Sequence, residues 1–298
     1  MHIPRGRELN IRSIIFCKLE YHMKQGVYRT QKKDGSVYYR AGITYRNKHI
    51  SLGSADDESK AAAMYECAKK LIKWCENSYD PHGSPSLRIF SAFSKFKQLR
   101  CDKIVSIVNF HDNGLYIGTP IYLLKDYFLY YLDNVTELKF DTDDLFYYSG
   151  HRILRRGGHL YVNEYGMQTG ILTRYGIRAH ATAGKDFRFV NGDDTDYRYS
   201  NIENINPWHG VETQNTDGRI SYLAKIHVSG YWQIGIFSDP VTAAVAYNKA
   251  ADIANAFGLE KDYPLNYIPD MSAEEYRNLY RSIRIPSKLQ RYLRDYKK

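Results

Sequence analysis

One pattern occurs twice in this chain, and it limits the folds open to both ends. Gly26-Val27-Tyr28-Arg29-Thr30 leads to a turn at Asp34-Gly35, an alternating run from Val37 to Tyr45, a turn at Arg46-Asn47-Lys48, and the short run Ile50-Ser51-Leu52-Gly53. Period-two alternation broken by such turns predicts an antiparallel three-stranded meander. Asp56, Asp57, Glu58 and Ser59 then supply capping and first-turn acidity for a helix from Lys60 to Trp74. The same grammar returns from Gly210. Gly210-Val211-Glu212-Thr213-Gln214 matches the first strand and Asp217-Gly218 the first turn, followed by strands Tyr222 to Val228 and Tyr231 to Phe237. Ser238-Asp239-Pro240 then opens a helix from Val241 to Phe257, with Pro240 at the first helical position, where it costs no hydrogen bond.

A chain of 298 residues has room for two or three small cores, and with 43% apolar and 25% charged residues it can bury them. No window approaches 18 uninterrupted apolar residues, and Met1-His2-Ile3-Pro4-Arg5 does not begin a signal peptide. The expected address is therefore cytoplasmic, with no membrane partner. Cys17, Cys67, Cys75 and Cys101 contain no CxxC pair and are expected to be reduced thiols. The net charge of +9 sits at the ends. Residues 1–50 carry 11 Lys and Arg against 3 acids and residues 271–298 carry 8 against 3, so a polyanionic partner is expected.

Between the repeats lies Phe187-Arg188-Phe189-Val190, a short strand followed by an Asn191-Gly192 turn, a polar loop holding Asp193, Asp194 and Asp196, and Asn201-Ile202. Pro81, Gly83 and Pro85 mark a boundary upstream, and residues 78–137 read as connecting strands or an extension of the middle domain. The tail from Ala273 reads as one or two basic helices broken at Pro286. It carries Tyr276, Leu279, Tyr280 and Ile283 on one stripe and Arg277, Arg281 and Arg284 on another, a pattern equally suited to packing and to clamping phosphate.

The second repeat resembles an AP2/ERF-type DNA-binding domain through Gly210-Val211, Ala224-Lys225-Ile226, Ile234-Gly235-Ile236-Phe237, the helix Ala243 to Ala251 and Leu265-Asn266-Tyr267. The first is similar in register through Gly26-Val27, Ala41-Gly42-Ile43, Leu52-Gly53 and Ala61 to Ala68. The middle resembles an HNH endonuclease through Asn191-Gly192-Asp193, Asp196, Arg198 and Ser200-Asn201-Ile202. Asp143 to Phe146, Gly157 to Val162 and Ile171 to Arg174 resemble the strands that lead into that motif. The resemblance implies an α+β architecture in which two modules, each a small three-stranded antiparallel sheet plus helix, flank a degenerate ββα HNH-like middle domain. Its expected parts are 1–77 (N-terminal segment and first module), 78–206 (middle domain with its extension), 207–268 (second module) and 269–298 (basic helical tail).

A ββα nuclease needs a divalent ion, its ligands and a neutral imidazole that deprotonates water. Here the resemblance places Phe189 at the general base, Arg188 at the preceding metal-binding Asp and Thr173 at the His of a His-Arg pair. The helix after the hairpin is expected to collapse into Asn206-Pro207-Trp208-His209. No catalytic residue, metal or cofactor is expected. His180 and His209 are available as replacements, and the three Asp residues could hold a hard cation. A solvated, self-capping turn and ordinary hydrogen-bonding histidines are the plainer reading.

Alternation predicts that Ala41, Ile43, Ile50, Ala224, Ile226, Trp232 and Ile234 face the helices. The open faces would then carry Tyr28, Thr30, Arg40, Gly42, Thr44, His49 and Ser51 in the first module. In the second they would carry Glu212, Gln214, Leu223, Lys225, His227, Tyr231 and Gln233, with Lys32, Lys33, Arg46, Lys48 and Arg219 on turns and strand ends to take phosphates. The expected function is sequence-specific binding of double-stranded DNA by a non-enzymatic transcriptional regulator, nucleoid-associated in a bacterium or phage, with a homodimer allowed. The alternative is a divergent homing-type endonuclease with substitute metal ligands.

Overall fold

The computed structural model describes residues 23–178, 181–259 and 261–296, so the apolar run Ile11 to Phe16, Cys17 and His180 lie outside the described residues. The chain divides into two compact units between Tyr116 and Ile117, not at 77/78.

In the first unit β1 (Val27–Gln31), β2 (Val37–Tyr45) and β3 (Lys48–Ala55) form an antiparallel meander, and α1 (Glu58–Ser78) packs across it. The turns take positive φ, at Gly35 (84°) and Asn47 (63°), whose residue types suit it, and also at Arg46 (45°), whose type does not. Asp57 caps α1 by accepting from the amides of Ser59 and Lys60. Residues 85–113 are not the strands or middle-domain extension expected from sequence. They fold as α2 (Pro85–Lys95) and α3 (Cys101–Asn113), and α3 packs on α1. The run Ile104-Val105-Ser106-Ile107-Val108 reads as a strand by its β-branched content, but it is buried on every side, and a helix buried all round loses the alternation that would reveal it.

The second unit opens with β4 (Ile121–Leu123), β5 (Tyr127–Tyr131) and β6 (Glu137–Asp141) in one meander, followed by the short α4 (Leu145–Gly150). A second meander joins β7 (Ile153–Arg156), β8 (His159–Glu164) and β9 (Met167–Gly170). Of the three segments expected as strands before the hairpin, only Gly157 to Val162 contributes one. Asp143 to Phe146 is helical and Ile171–Tyr175 is a 3-10 turn. The hairpin pairs β10 (Phe187–Phe189) with β11 (Ile202–Asn204). Its core is aromatic: Phe140 stacks on Phe128 and Tyr197 with ring centroids 5.5 Å apart in each case, and Tyr148 stands 4.5 Å from Phe140.

The second repeat follows as β12 (Val211–Thr216), β13 (Arg219–Val228), β14 (Gly230–Phe237) and α5 (Pro240–Ala256). The tail folds as α6 (Ala273–Ser282) and α7 (Ser287–Asp295), separated at Pro286. It packs on this module: Leu289 and Leu293 are buried, Lys249 Nζ donates to the carbonyls of Tyr280 (2.7 Å) and Ile283 (2.8 Å), and the Asn248 amide reaches the Tyr276 hydroxyl. Among the described residues no helix is long and apolar enough to cross a membrane, and Cys67, Cys75 and Cys101 are free thiols.

Candidate nucleic-acid interface

The two repeats share more than strand order. In each, the middle and third strands slip by one residue at the same place, between Ala41 and Gly42 and between Ala224 and Lys225. Leu52 and Ile234 are the extra residues of matching bulges. Each begins with a glycine at positive φ, Gly26 at 74° and Gly210 at 68°. Their carbonyls accept from Gly42 N (2.9 Å) and Lys225 N (2.7 Å). A methyl group at either glycine would sit 2.0 Å from the ring of a helix tyrosine, Tyr65 in one and Tyr247 in the other. The conformation and the close approach both require glycine. A bulge tightens local twist, so the two sheets are bent alike and present comparable open faces.

Alternation places the side chains largely as the sequence predicts. Ala41, Ile43, Ile50, Ala224, Ile226 and Ile234 are buried, and Trp232 is partly buried against the same core. Gly42 departs from expectation. It is buried because the His49 ring lies over it, 2.7 Å from where a Cβ would stand. Tyr28, 55% exposed, meets His49 edge to face at 6.4 Å, and Arg40 stands opposite Tyr28 in register. Thr44 and Ser51 are exposed beside them, and Thr30 is half-buried.

The second face is more interconnected. Lys225, at the centre of the middle strand, is ion-paired with Glu212, with its ammonium 4.9 Å from the Tyr231 ring centroid. That pairing holds the Glu212 carboxyl below its ordinary value. Gln233 lies opposite Lys225, and Gln214 opposite Ser221. His227 meets Tyr231 edge on at 4.9 Å, while Lys261 Nζ stands 3.0 Å from His227 Nδ1. An ammonium can only donate, so this contact makes Nδ1 the acceptor and leaves Nε2 as the ring's donor. Tyr231 is 75% exposed. Lys261 carried no sequence signal: it follows the helix and joins the face only through the return of the chain past the β13–β14 turn.

The residues expected at phosphates divide in two. Lys32, Lys33 and Arg219 are exposed at turns. Arg46 instead donates to the carbonyls of Phe110 (3.2 Å) and His111 (2.9 Å), closing the C-terminus of α3, and Lys48 lies over the Tyr116 ring at 5.2 Å. Sequence could not reveal these roles, because residues 101–113 do not read as a helix.

In the middle, Thr173 and Phe189 line one groove of about 950 Å³, with Arg156, His159 and Gln168 on its wall. Thr173 Oγ1 donates to Gly170 O, and Phe189 packs on Tyr197 at 5.6 Å. Arg188 projects from the opposite side of the strand and pairs at 2.7 Å with Glu203, its register partner. Arg174 grips the buried Asp144, with Nε at 2.8 Å, and stacks over Tyr147 at 4.2 Å. The three Asp residues do not converge. Asp193 accepts from the Thr195 hydroxyl and from Lys139, which holds its carboxyl down to about 2. Asp196 is buried, which by itself would raise it, but its bonds to Arg198 and Asn191 keep it below the ordinary range. Asn201 closes the loop by accepting from Asn191 N (2.8 Å) and donating to the carbonyls of Asp193 (3.1 Å) and Asp196 (2.8 Å). Among the described residues no three His, Cys, Asp or Glu side chains gather as a metal cage would need.

No helix separates β11 from β12. Asn206 donates to Val211 O (2.9 Å), and Arg178 binds Asp186 together with the carbonyls of Trp208 and Val211, so the hairpin is clamped to the second module. His209 lies in this joint, and burial, helped by Arg178, pushes its imidazole below the usual value. No family model, curated protein or solved structure matches the chain.

Proposed function

We propose that the chain binds double-stranded DNA with sequence preference through the open faces of its two repeated sheets, does not cut it, and serves as a transcriptional regulator. The observation that carries this reading is the duplication itself. Two sheets with the same bulge and the same glycine-tyrosine contact leave polar side chains with hydrogen-bond donors and acceptors on the face away from the helix. A strand face with donors and acceptors at period two is suited to the major groove, where base edges differ in hydrogen-bonding pattern. On this reading Tyr28, Thr30, Arg40, Thr44, His49 and Ser51 read one half-site and Gln214, Lys225, His227, Tyr231 and Gln233 the other. Lys32, Lys33 and Arg219 hold phosphates. The modules are of AP2/ERF type, and the hairpin is a nuclease-type scaffold that carries the second module without catalytic chemistry.

Selection of bound duplexes from a random pool, followed by titration over a range of salt, tests this. A discrete site with a steep salt dependence is expected. Equal binding to all sequences would refute sequence reading, and nicking of the selected duplex in Mg²⁺ or Mn²⁺ would favour an endonuclease.

A further inference from the structure

The two units complete their modules differently. In the first, α2 and α3 cover α1, and three cations there are engaged: Arg88 by Asp112, Lys95 over Trp74, and Arg100, at the start of α3, by Asp102. In the second, α7 presents its apolar side to the module and its cations to solvent. Leu289 and Leu293 are buried, the Tyr292 ring lies 4.4 Å from Trp232 of β14, and its hydroxyl meets Ser229 in the β13–β14 turn. On a helix of 3.6 residues per turn, Lys288, Arg291 and Arg294 then fall together on the opposite side. All three are exposed, and among the described residues none is ion-paired; Asp295, four residues after Arg291, is the one carboxylate of α7 on this face.

We propose that this outer face of α7 is a phosphate clamp for the same duplex that the second sheet reads. The inference rests on the DNA-binding reading above. Packing explains the buried side of α7 but not three unpaired cations in a row on the other, and their charge suits a polyanion. Their position supports duplex DNA. A sheet lying in the major groove is flanked by the two sugar-phosphate backbones, and α7 is held at the turn end of that sheet by the contacts of Tyr292 with Ser229 and Trp232.

The test is the triple variant K288Q/R291Q/R294Q of the full chain, titrated with a selected duplex at several salt concentrations. The slope of log K against log salt should become shallower by about 2.7, at about 0.9 per lost phosphate contact, with the base preference unchanged. The charge-preserving variant K288R/R291K/R294K should keep the wild-type slope, and hydrogen exchange of peptides from β12–β14, α5 and α7 should show all forms equally folded. An unchanged slope in the neutralised variant overturns the clamp. So does loss of binding to phosphatidylserine vesicles with DNA binding intact, which would assign the face to a membrane surface. If the wild-type chain binds no duplex, the DNA-binding reading itself falls, and this inference with it.

Discussion

A methyl group added at Gly26 tests whether the glycine-tyrosine contact sets the geometry of the repeated module. Gly26 is at φ 74°, which costs a side-chain-bearing residue about 1–2 kcal/mol. The three atoms nearest the added Cβ all belong to the Tyr65 ring, at 2.0, 2.3 and 2.6 Å, so the ring must leave a site where it is 8% exposed. Displacing a buried aromatic forfeits about 3–5 kcal/mol, of which local relaxation recovers part, so Gly26→Ala should destabilise the first module by about 3–5 kcal/mol in all. If the ring is the obstacle, Tyr65→Ala should relieve most of the added cost. The double variant then shows a coupling of about 2–3 kcal/mol. The second module provides the control. At Gly210 the backbone carbonyl of Lys225 stands 2.6 Å from the new methyl, and it remains when Tyr247 is truncated, so the coupling there should be smaller. Two units make a global melt a poor readout, so the measurement is hydrogen exchange of peptides from β1–β3 and α1, and of β12–β14 and α5. Protection in Gly26→Ala within 1 kcal/mol of wild type, or a coupling no larger than at Gly210, would refute the reasoning.

Asn201→Ala removes three hydrogen bonds from the hairpin loop and should cost about 3 kcal/mol, seen as faster exchange of the amides of residues 190–201. Arg46→Met should destabilise the first unit by about 1–3 kcal/mol while leaving the salt slope of DNA binding unchanged, whereas Lys32→Gln should make that slope shallower by about 1. Asp193 titrates lower in the folded chain than in the unfolded one. Its stabilisation of the loop is therefore present above about pH 4 and disappears as the pH falls toward 2. Lys139→Met should raise the carboxyl's midpoint in an NMR titration, and a midpoint that stays put would show that Lys139 has no part in it.

How much was legible from sequence follows from how locally each feature is determined. The repeated meanders, their turns and caps depend on neighbours within a few residues, and their open faces depend on a period of two, so sequence placed them largely, with Gly42 buried and Thr30 half-buried against expectation. Residues 101–113 were misread because the burial of α3 from Ile104 to Phe110 on all sides erases the helical period, whereas α2 keeps it in the buried Ile89, Ala92 and Phe93, a pattern that was legible and was passed over. The strands expected at Asp143 to Phe146 and Ile171 to Arg174 were lost because short segments take their form from the core they touch: Tyr148 and Ile171 are drawn into the aromatic cluster around Phe140.

The sequence by itself determined that two copies of one sheet-and-helix module flank a middle segment holding Thr173, Arg188 and Phe189, because repetition is visible without coordinates. Only the tertiary structure decided what those residues do. Phe189 joins the aromatic core, Arg188 turns away to Glu203, Arg46 closes a distant helix, Glu212 pairs with Lys225, and Lys261 reaches His227. Apart from the cross-strand pairs Arg188–Glu203 and Glu212–Lys225, whose registers the hairpins set, these contacts hang on how the elements pack. A charged or aromatic side chain satisfies itself with whatever group that packing brings within a few ångströms, and sequence spacing does not encode it.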